Sequence, residues 1–137
     1  MKKVVLIDTN IILDLLAKRE PFYESAAQFF SLVSQGFIEA KASALSFSDV
    51  HYVLSKQLSK QIALQKLIKF RQKVVVSAVN EKIIDAALLS DFSDFEDAIQ
   101  YQVALAEKCQ TIITRNEKDF KNSQIPVMSA EAFLQTL

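Results

Sequence analysis

Acidic side chains stand at a recurring kind of place in this 137-residue chain, the end of an apolar strand or the start of a helix. Asp8 closes the run Val4-Val5-Leu6-Ile7, and Thr9 and Asn10 follow it directly. Asp49 ends Ser46-Phe47-Ser48-Asp49, and Asp94 and Asp97 bracket Phe95-Glu96 ahead of an apolar helical stretch. A second apolar run, Thr111-Ile112-Ile113, leads into Thr114-Arg115-Asn116-Glu117-Lys118-Asp119. Brought into one crevice, Asp8, Asp49, Asp97 and Asp119, with Asn116, would repel one another without a cation between them. Oxygen-only donors select hard cations, Mg²⁺ or Mn²⁺, over zinc. Such a site suits phosphoryl chemistry, because the cation activates water and neutralises charge at the attacked phosphate.

Each acid also has a local structural explanation. Asp8, Thr9 and Asn10 are all good helix N-cap types. Ser46 and Asp49 resemble a capping box with Asp in place of Glu or Gln, and Ser93 and Glu96 form another. The helix dipole favours acids such as Asp94 and Glu96 in a first turn, so neither needs a function. Asn116 and Asp119 fit the cap and first turn of a short helix. Asp97 is harder to explain this way. With Ser93 as the cap it falls at N4, ahead of Ala98, Ile99, Val103, Ala104, Leu105 and Ala106. A carboxylate on so apolar a helix needs a partner, because an unpaired buried charge is costly. The sequence offers few basic neighbours.

Other chemistries are excluded or weakened by composition. His51 is the only histidine and lies beside Tyr52 in a helical stretch, so neither a His-rich metal site nor a His-based triad is expected. Gly36 is the only glycine, which removes glycine-rich phosphate loops. Cys109 is the only cysteine; it excludes an internal disulfide, fits a reducing cytoplasm, and reads as a buried inert thiol. Sixteen basic and 16 acidic residues give zero net charge, so nucleic acid would have to be held by a local patch or a metal. No apolar run approaches the ~18 residues of a membrane span, and the one after Met1-Lys2-Lys3 is too short for a secretory signal.

The elements that must carry these residues follow from periodicity. Residues 4–7 read as a strand buried on both faces, and a helix is expected over 10–18. Pro21 is expected to open a second helix, with Phe22, Ala26, Phe29, Phe30 and Val33 on its apolar face, and Gly36 to end it. Phe22, Phe29, Phe30 and Phe70 read mainly as core, with a part in interfaces as the alternative. A weak strand spans 37–43. Ser46 is expected to begin a third helix, and Ser59 to cap a fourth. Strands are expected over 74–76 and 111–113 and an extended piece over 125–127, with helices over 79–89, from Ser93 to about 108, and from Ser129 to 134. Alternating strands and helices imply an α/β fold: one domain over 1–137, a three-layer α/β/α sandwich around a mostly parallel sheet. Parallel strands end at one sheet edge, so residues after strands 4–7 and 111–113 fall together, where open α/β sheets place their sites.

Four stretches together, Leu6-Ile7-Asp8-Thr9-Asn10-Ile11-Ile12-Leu13-Asp14, Ser48-Asp49-Val50-His51-Tyr52-Val53-Leu54, Asp94-Phe95-Glu96-Asp97-Ala98-Ile99-Gln100 and Ile112-Ile113-Thr114-Arg115-Asn116-Glu117-Lys118-Asp119-Phe120, resemble the PIN-domain ribonucleases. The resemblance is to the toxin subunits of bacterial toxin–antitoxin pairs in particular. It implies a small nuclease whose acids bind Mg²⁺ or Mn²⁺ and hydrolyse single-stranded or structured RNA. Asp8 matches the first family acid, Asp97 the third, and residues 114–119 carry the fourth. Asp94 matches an acid often found beside the third. Asp49 stands where the family usually has glutamate, and Asn116 where it often has aspartate. On this reading Asp8, Asp94, Asp97 and Asp119 hold the metal, and Asp49 and Asp119 complete its shell or position water. Asn10, Thr114, Arg115 and Asn116 position water or substrate, with Arg115 at a phosphate. The resemblance also implies a homodimer and a small antitoxin. Two rivals stand beside it: a non-catalytic interaction module on the same fold, and an aspartyl-nucleophile phosphatase. The phosphatase is disfavoured because Asn10 occupies the place of its usual second acid.

Overall fold

A computed structural model describes residues 2–137; Met1 lies outside them. Five strands form one sheet: β1 (Lys3–Ile7), β2 (Ile38–Ser43), β3 (Val75–Ser77), β4 (Thr111–Ile113) and β5 (Val127–Met128). Their spatial order is β3-β2-β1-β4-β5, and every pairing is parallel. The sheet is thus wholly parallel. Val5, Leu6 and Ile7 are completely buried, as a central strand covered on both faces requires. The chain fills the β2–β3 side first and then crosses to β4 and β5. The order therefore reverses between β1 and β4, which is where such sheets open a binding crevice. Ile7 pairs with Ile113, so Asp8 and Thr114 leave the sheet side by side.

One face carries α1 (Thr9–Leu16), α2 (Tyr23–Ser34), α3 (Ala44–Gln57), α4 (Lys60–Arg71) and α7 (Ala130–Gln135), packed on Val5, Ile7, Ile38 and Ala40. The other carries α5 (Glu81–Leu88) and α6 (Phe95–Ala106), packed on Leu6 and Ile112. This is the α/β/α sandwich the alternation implied. Phe30 makes edge-to-face contacts with Phe29 at 5.2 Å and Phe70 at 5.3 Å. Each such pair adds about 0.5–1.5 kcal/mol to the area buried. Gly36 terminates α2 with φ +89°, a left-handed C′ position that glycine adopts without a Cβ penalty.

Three helix starts differ from the sequence expectation. Pro21 does not open α2; it lies in the turn ahead of it, with Phe22 as N-cap and 39% exposed, outside the core. Ser46 does not begin α3. Ser43 is the cap, its hydroxyl accepting from the Ser46 amide at 3.2 Å, and the helix starts earlier than expected. Ser93 does not cap α6 either; Asp94 does. In all three the helix starts from another residue than expected, and the last two change how the nearby acids are understood.

Candidate active site

Asp8 is both helix cap and crevice wall. Its φ/ψ of −77°/158° keep it extended while α1 begins at the next residue. Its Oδ1 accepts from the Thr9 amide at 2.8 Å, and its Oδ2 accepts from the Thr114 hydroxyl at 2.8 Å. The cap is thus Asp8 itself and not Thr9 or Asn10. Asn10 Nδ2 reaches Asp8 Oδ2 and Thr114 Oγ1, each at 3.4 Å, and Asn10 Oδ1 accepts from the Arg115 amide at 3.4 Å. The Asn116 amide donates to Thr114 Oγ1 at 3.1 Å. These bonds tie the turn after β4 to the start of α1. Burial pushes the Asp8 carboxyl above its ordinary pKa. The bonds from Thr114 and Thr9 oppose this, and the charges of Asp119 and Asp94 reinforce it.

The first turn of α6 supplies three more acids. Asp94 is the N-cap, its Oδ1 accepting from the Asp97 amide at 2.9 Å. Asp97 is therefore N3 and not N4, and no basic group pairs with it. Burial, then the charges of Asp8, Asp94 and Asp119, push its carboxyl up to about 7. Glu96, dismissed on sequence as a capping acid, makes no cap bond. It faces Asp49, whose hydrogen bond is the largest cause of a pKa pushed up to about 8, followed by burial and the charge of Asp49.

Asp8, Asp94, Glu96, Asp97 and Asp119 line one open crevice of about 300 Å³ together with Thr9, Asn10 and Asn116. Asp119 comes from a 3-10 turn, Glu117–Phe120, anchored by buried Phe120. Of the residues singled out on sequence, Asp49, Thr114 and Arg115 are not part of this wall. Thr114 is fully buried behind Asp8. Asp49 is the sixth residue of α3, so the capping-box explanation for it fails, and its Oδ2 is buried without a hydrogen-bond partner.

Arg115 departs most from expectation. Its Nε donates to Asp14 Oδ2 at 2.8 Å and its second guanidinium nitrogen to Asp14 Oδ1 at 3.1 Å. Its guanidinium lies 3.9 Å from the Phe22 ring centre. It lines a separate groove with Ile11, Asp14 and Phe22, and its guanidinium is held by Asp14. Asp14 is 1% exposed and went unnoticed on sequence, although an acid among Leu13, Leu15 and Leu16 is the signal that marked Asp97. Sequence reasoning also missed a buried polar seam between α3 and α6. Ser46 Oγ bonds Thr9 Oγ1 at 2.9 Å and accepts from Gln100 Nε2 at 2.8 Å. Cys109 is buried, with its thiol pushed up to about 11 by burial, as expected of an inert thiol.

The oxygen-only donors of the crevice match a hard divalent cation. Its charges are balanced by no lysine or arginine on its wall, which fits a cation. Among the described residues no three acidic, histidine or cysteine side chains converge tightly enough to chelate an ion as they stand. The chelate is not preformed.

A wholly parallel α/β/α sandwich with an acidic crevice at the strand-order reversal defines the class of protein. The family model for the PIN domain matches residues 4–118, and the chain belongs to the PIN domain family. It is similar to "Ribonuclease VapC1" of Aquifex aeolicus (strain VF5), 26% identical over 139 residues, covering 96% of this chain and 93% of that protein. Among solved structures it resembles a DNA-bound VapBC from Salmonella typhimurium, with TM-score 0.71, 17% identity, and 95% of this chain and 99% of that one covered. A toxin–antitoxin complex from Klebsiella pneumoniae gives TM-score 0.68 at 23% identity, covering 92% of this chain and 97% of that one. Among the described residues no helix is long and apolar enough to cross a membrane.

Proposed function

We propose that this protein is an endoribonuclease dependent on Mg²⁺ or Mn²⁺, the toxin of a toxin–antitoxin pair. The observation that carries the reading is the crevice, where five carboxylates meet at the strand-order reversal with no basic residue among them. The ribonuclease name of the Aquifex relative and the toxin–antitoxin complex from Klebsiella support the substrate and the partner. The protein works as a homodimer restrained by a small antitoxin, and an RNA substrate and an unpaired cysteine suit the cytoplasm.

Asp8, Asp94, Asp97 and Asp119 would hold the cation. A divalent cation there supplies activation of water and charge neutralisation at phosphate. Thr114 and the Thr9 amide aim Asp8 and oppose the effect of burial on its charge, since hydrogen bonds to a carboxylate favour its charged form. Asn10 and Asn116 present amides on the crevice wall that can hydrogen-bond water or a phosphate oxygen. A cation held there would favour the charged forms of Asp97 and Glu96. With water as nucleophile, cleavage leaves a terminal phosphomonoester.

The second reading, a non-catalytic interaction module, is favoured by the open spacing of the acids. Isothermal titration with Mn²⁺, run beside digestion of a labelled RNA, separates the two. The nuclease reading expects saturable Mn²⁺ binding and phosphomonoester ends. No binding at millimolar metal would favour the module, and cyclic phosphate ends would rule out water as the nucleophile.

A further inference from the structure

Asp119 is the one crevice acid that neither a sheet strand nor an α-helix carries. Asp8 stands between β1 and α1, and Asp94, Glu96 and Asp97 stand at the head of α6. Asp119 comes from the four-residue 3-10 turn Glu117–Phe120. A turn of that length takes its place from what it packs on and not from its own hydrogen bonds.

Three rings meet behind it. Phe120, next to Asp119 in the chain, is buried and meets Phe92 edge-on, with ring centres 5.9 Å apart and planes at 75°. Phe92 stacks on Tyr101 at 4.9 Å and 24°. Phe92 precedes Asp94 by two residues, and Tyr101 lies on α6 four residues after Asp97, on the same face and one turn further along. One side of the cluster therefore carries Asp94 and Asp97, and the other carries Asp119. Aromatic pairs prefer particular separations and angles, so the cluster sets a distance as well as a contact. Two hydrogen bonds close the same junction. Tyr101 Oη accepts from the Gln124 amide at 3.1 Å, and Asn122 Nδ2 donates to the Asp91 carbonyl at 3.3 Å. At the other end of the turn, Glu117 Oε1 accepts from the Ser129 amide at 3.0 Å, which ties it to the start of α7.

We infer that Phe92 and Tyr101 are positioning residues that hold Asp119 against the α6 acids, acting through Phe120. This rests on the metal-dependent reading above, because a fixed separation between carboxylates matters when they share a cation. Asp94 and Asp119 line one crevice and repel each other when both are charged. The ring cluster opposes their separation from behind.

Two measurements on the intact chain test it: Mn²⁺ affinity by electron paramagnetic resonance, and amide hydrogen exchange over residues 116–124 without metal. The variants are Phe92→Leu, Phe92→Tyr, Tyr101→Phe, Phe70→Leu and Asp8→Asn, each shown to be folded by its circular dichroism melt. Phe70 belongs to the core on the other face of the sheet, so Phe70→Leu weakens the fold without touching the cluster. Phe92→Leu is expected to weaken Mn²⁺ binding by about 10-fold, the scale of losing the support behind a metal ligand, and to speed exchange at the Asp119 amide. Phe92→Tyr keeps the ring and is expected to retain wild-type affinity. Tyr101→Phe is expected to speed exchange of the Gln124 amide by about 2–10-fold, the worth of one hydrogen bond, and to weaken Mn²⁺ binding less than Phe92→Leu does. Phe70→Leu is expected to lower the melting temperature and leave Mn²⁺ affinity unchanged. Equal losses of affinity in Phe92→Leu and Phe70→Leu, or exchange over 116–124 unchanged in Phe92→Leu, would overturn the inference and leave the metal site standing. If wild type binds Mn²⁺ no better than Asp8→Asn, the metal-dependent reading itself fails and takes this inference with it.

Discussion

The Thr114 hydroxyl donates to Asp8 Oδ2 at 2.8 Å, across the junction where β1 and β4 end together. Both residues are buried, so the bond is screened little by water. It is the direct link between the turn that carries Asn116 and Asp119 and the acid at the head of α1.

Thr114→Val keeps the side-chain shape and removes that donor. Hydrogen bonds to charged groups contribute about 1.5–3 kcal/mol, and losing the outer partner of a metal ligand costs about 10–100-fold in activity. The expected outcome is a fall in RNA cleavage of that order, with Thr114→Ser retaining most of it. Initial cleavage rates at saturating Mn²⁺ check this. An unchanged rate in Thr114→Val would show that Asp8 needs no such partner.

Without metal, stability should depend on pH in an unusual direction. Asp97 and Glu96 hold protons in the folded state up to about 7 and about 8, well above their ordinary values. A carboxyl that binds its proton more tightly when folded stabilises the fold at low pH. That contribution is lost as pH rises through its folded pKa. The melting temperature in EDTA should therefore fall between pH 5 and 8, a window set on order-of-magnitude grounds at about the range between ordinary and raised carboxyl values. The double variant Glu96→Gln with Asp97→Asn should flatten the fall. Circular dichroism melts across that range decide it; a slope unchanged in the double variant would place the cause elsewhere.

Arg115 should matter for the fold rather than for phosphate binding. Arg115→Ala strands the buried Asp14 carboxylate, and breaking a buried pair in this way costs about 3–5 kcal/mol, toward the lower end here because Arg115 keeps some solvent contact. Replacing both partners, as Arg115→Met with Asp14→Leu, should cost much less than the single change. Urea denaturation measures both. A destabilised single variant beside a near-normal double variant is the expected pattern; a stable Arg115→Ala with weakened RNA binding would restore the phosphate role.

The fold was legible because its signals are periodic. The apolar run before Asp8 and the one before Thr114 mark strands buried on both faces, and parallel pairing then brings their ends together. Asp97 was legible for a related reason, since a carboxylate amid Ala98, Ile99 and Val103 conflicts with its surroundings. Asp14 carried the same conflict and was passed over. Helix starts were less legible, because Ser43 and Ser46, or Ser93 and Asp94, are equally good caps. Only the backbone turn chooses between them, and that choice moved Asp97 to N3 and freed Glu96 from a capping role. The bond from Gln100 to Ser46 joins two helices far apart in the chain, and no local pattern encodes that.

The central claim is that Asp8 and its neighbouring acids hold a divalent cation that cleaves RNA. Digestion of a labelled RNA by wild type and Asp8→Asn, each with Mn²⁺ and with EDTA, tests it most directly. Cleavage by wild type in Mn²⁺ alone, with Asp8→Asn folded but inactive, is the predicted result. Cleavage that survives both EDTA and Asp8→Asn would contradict it.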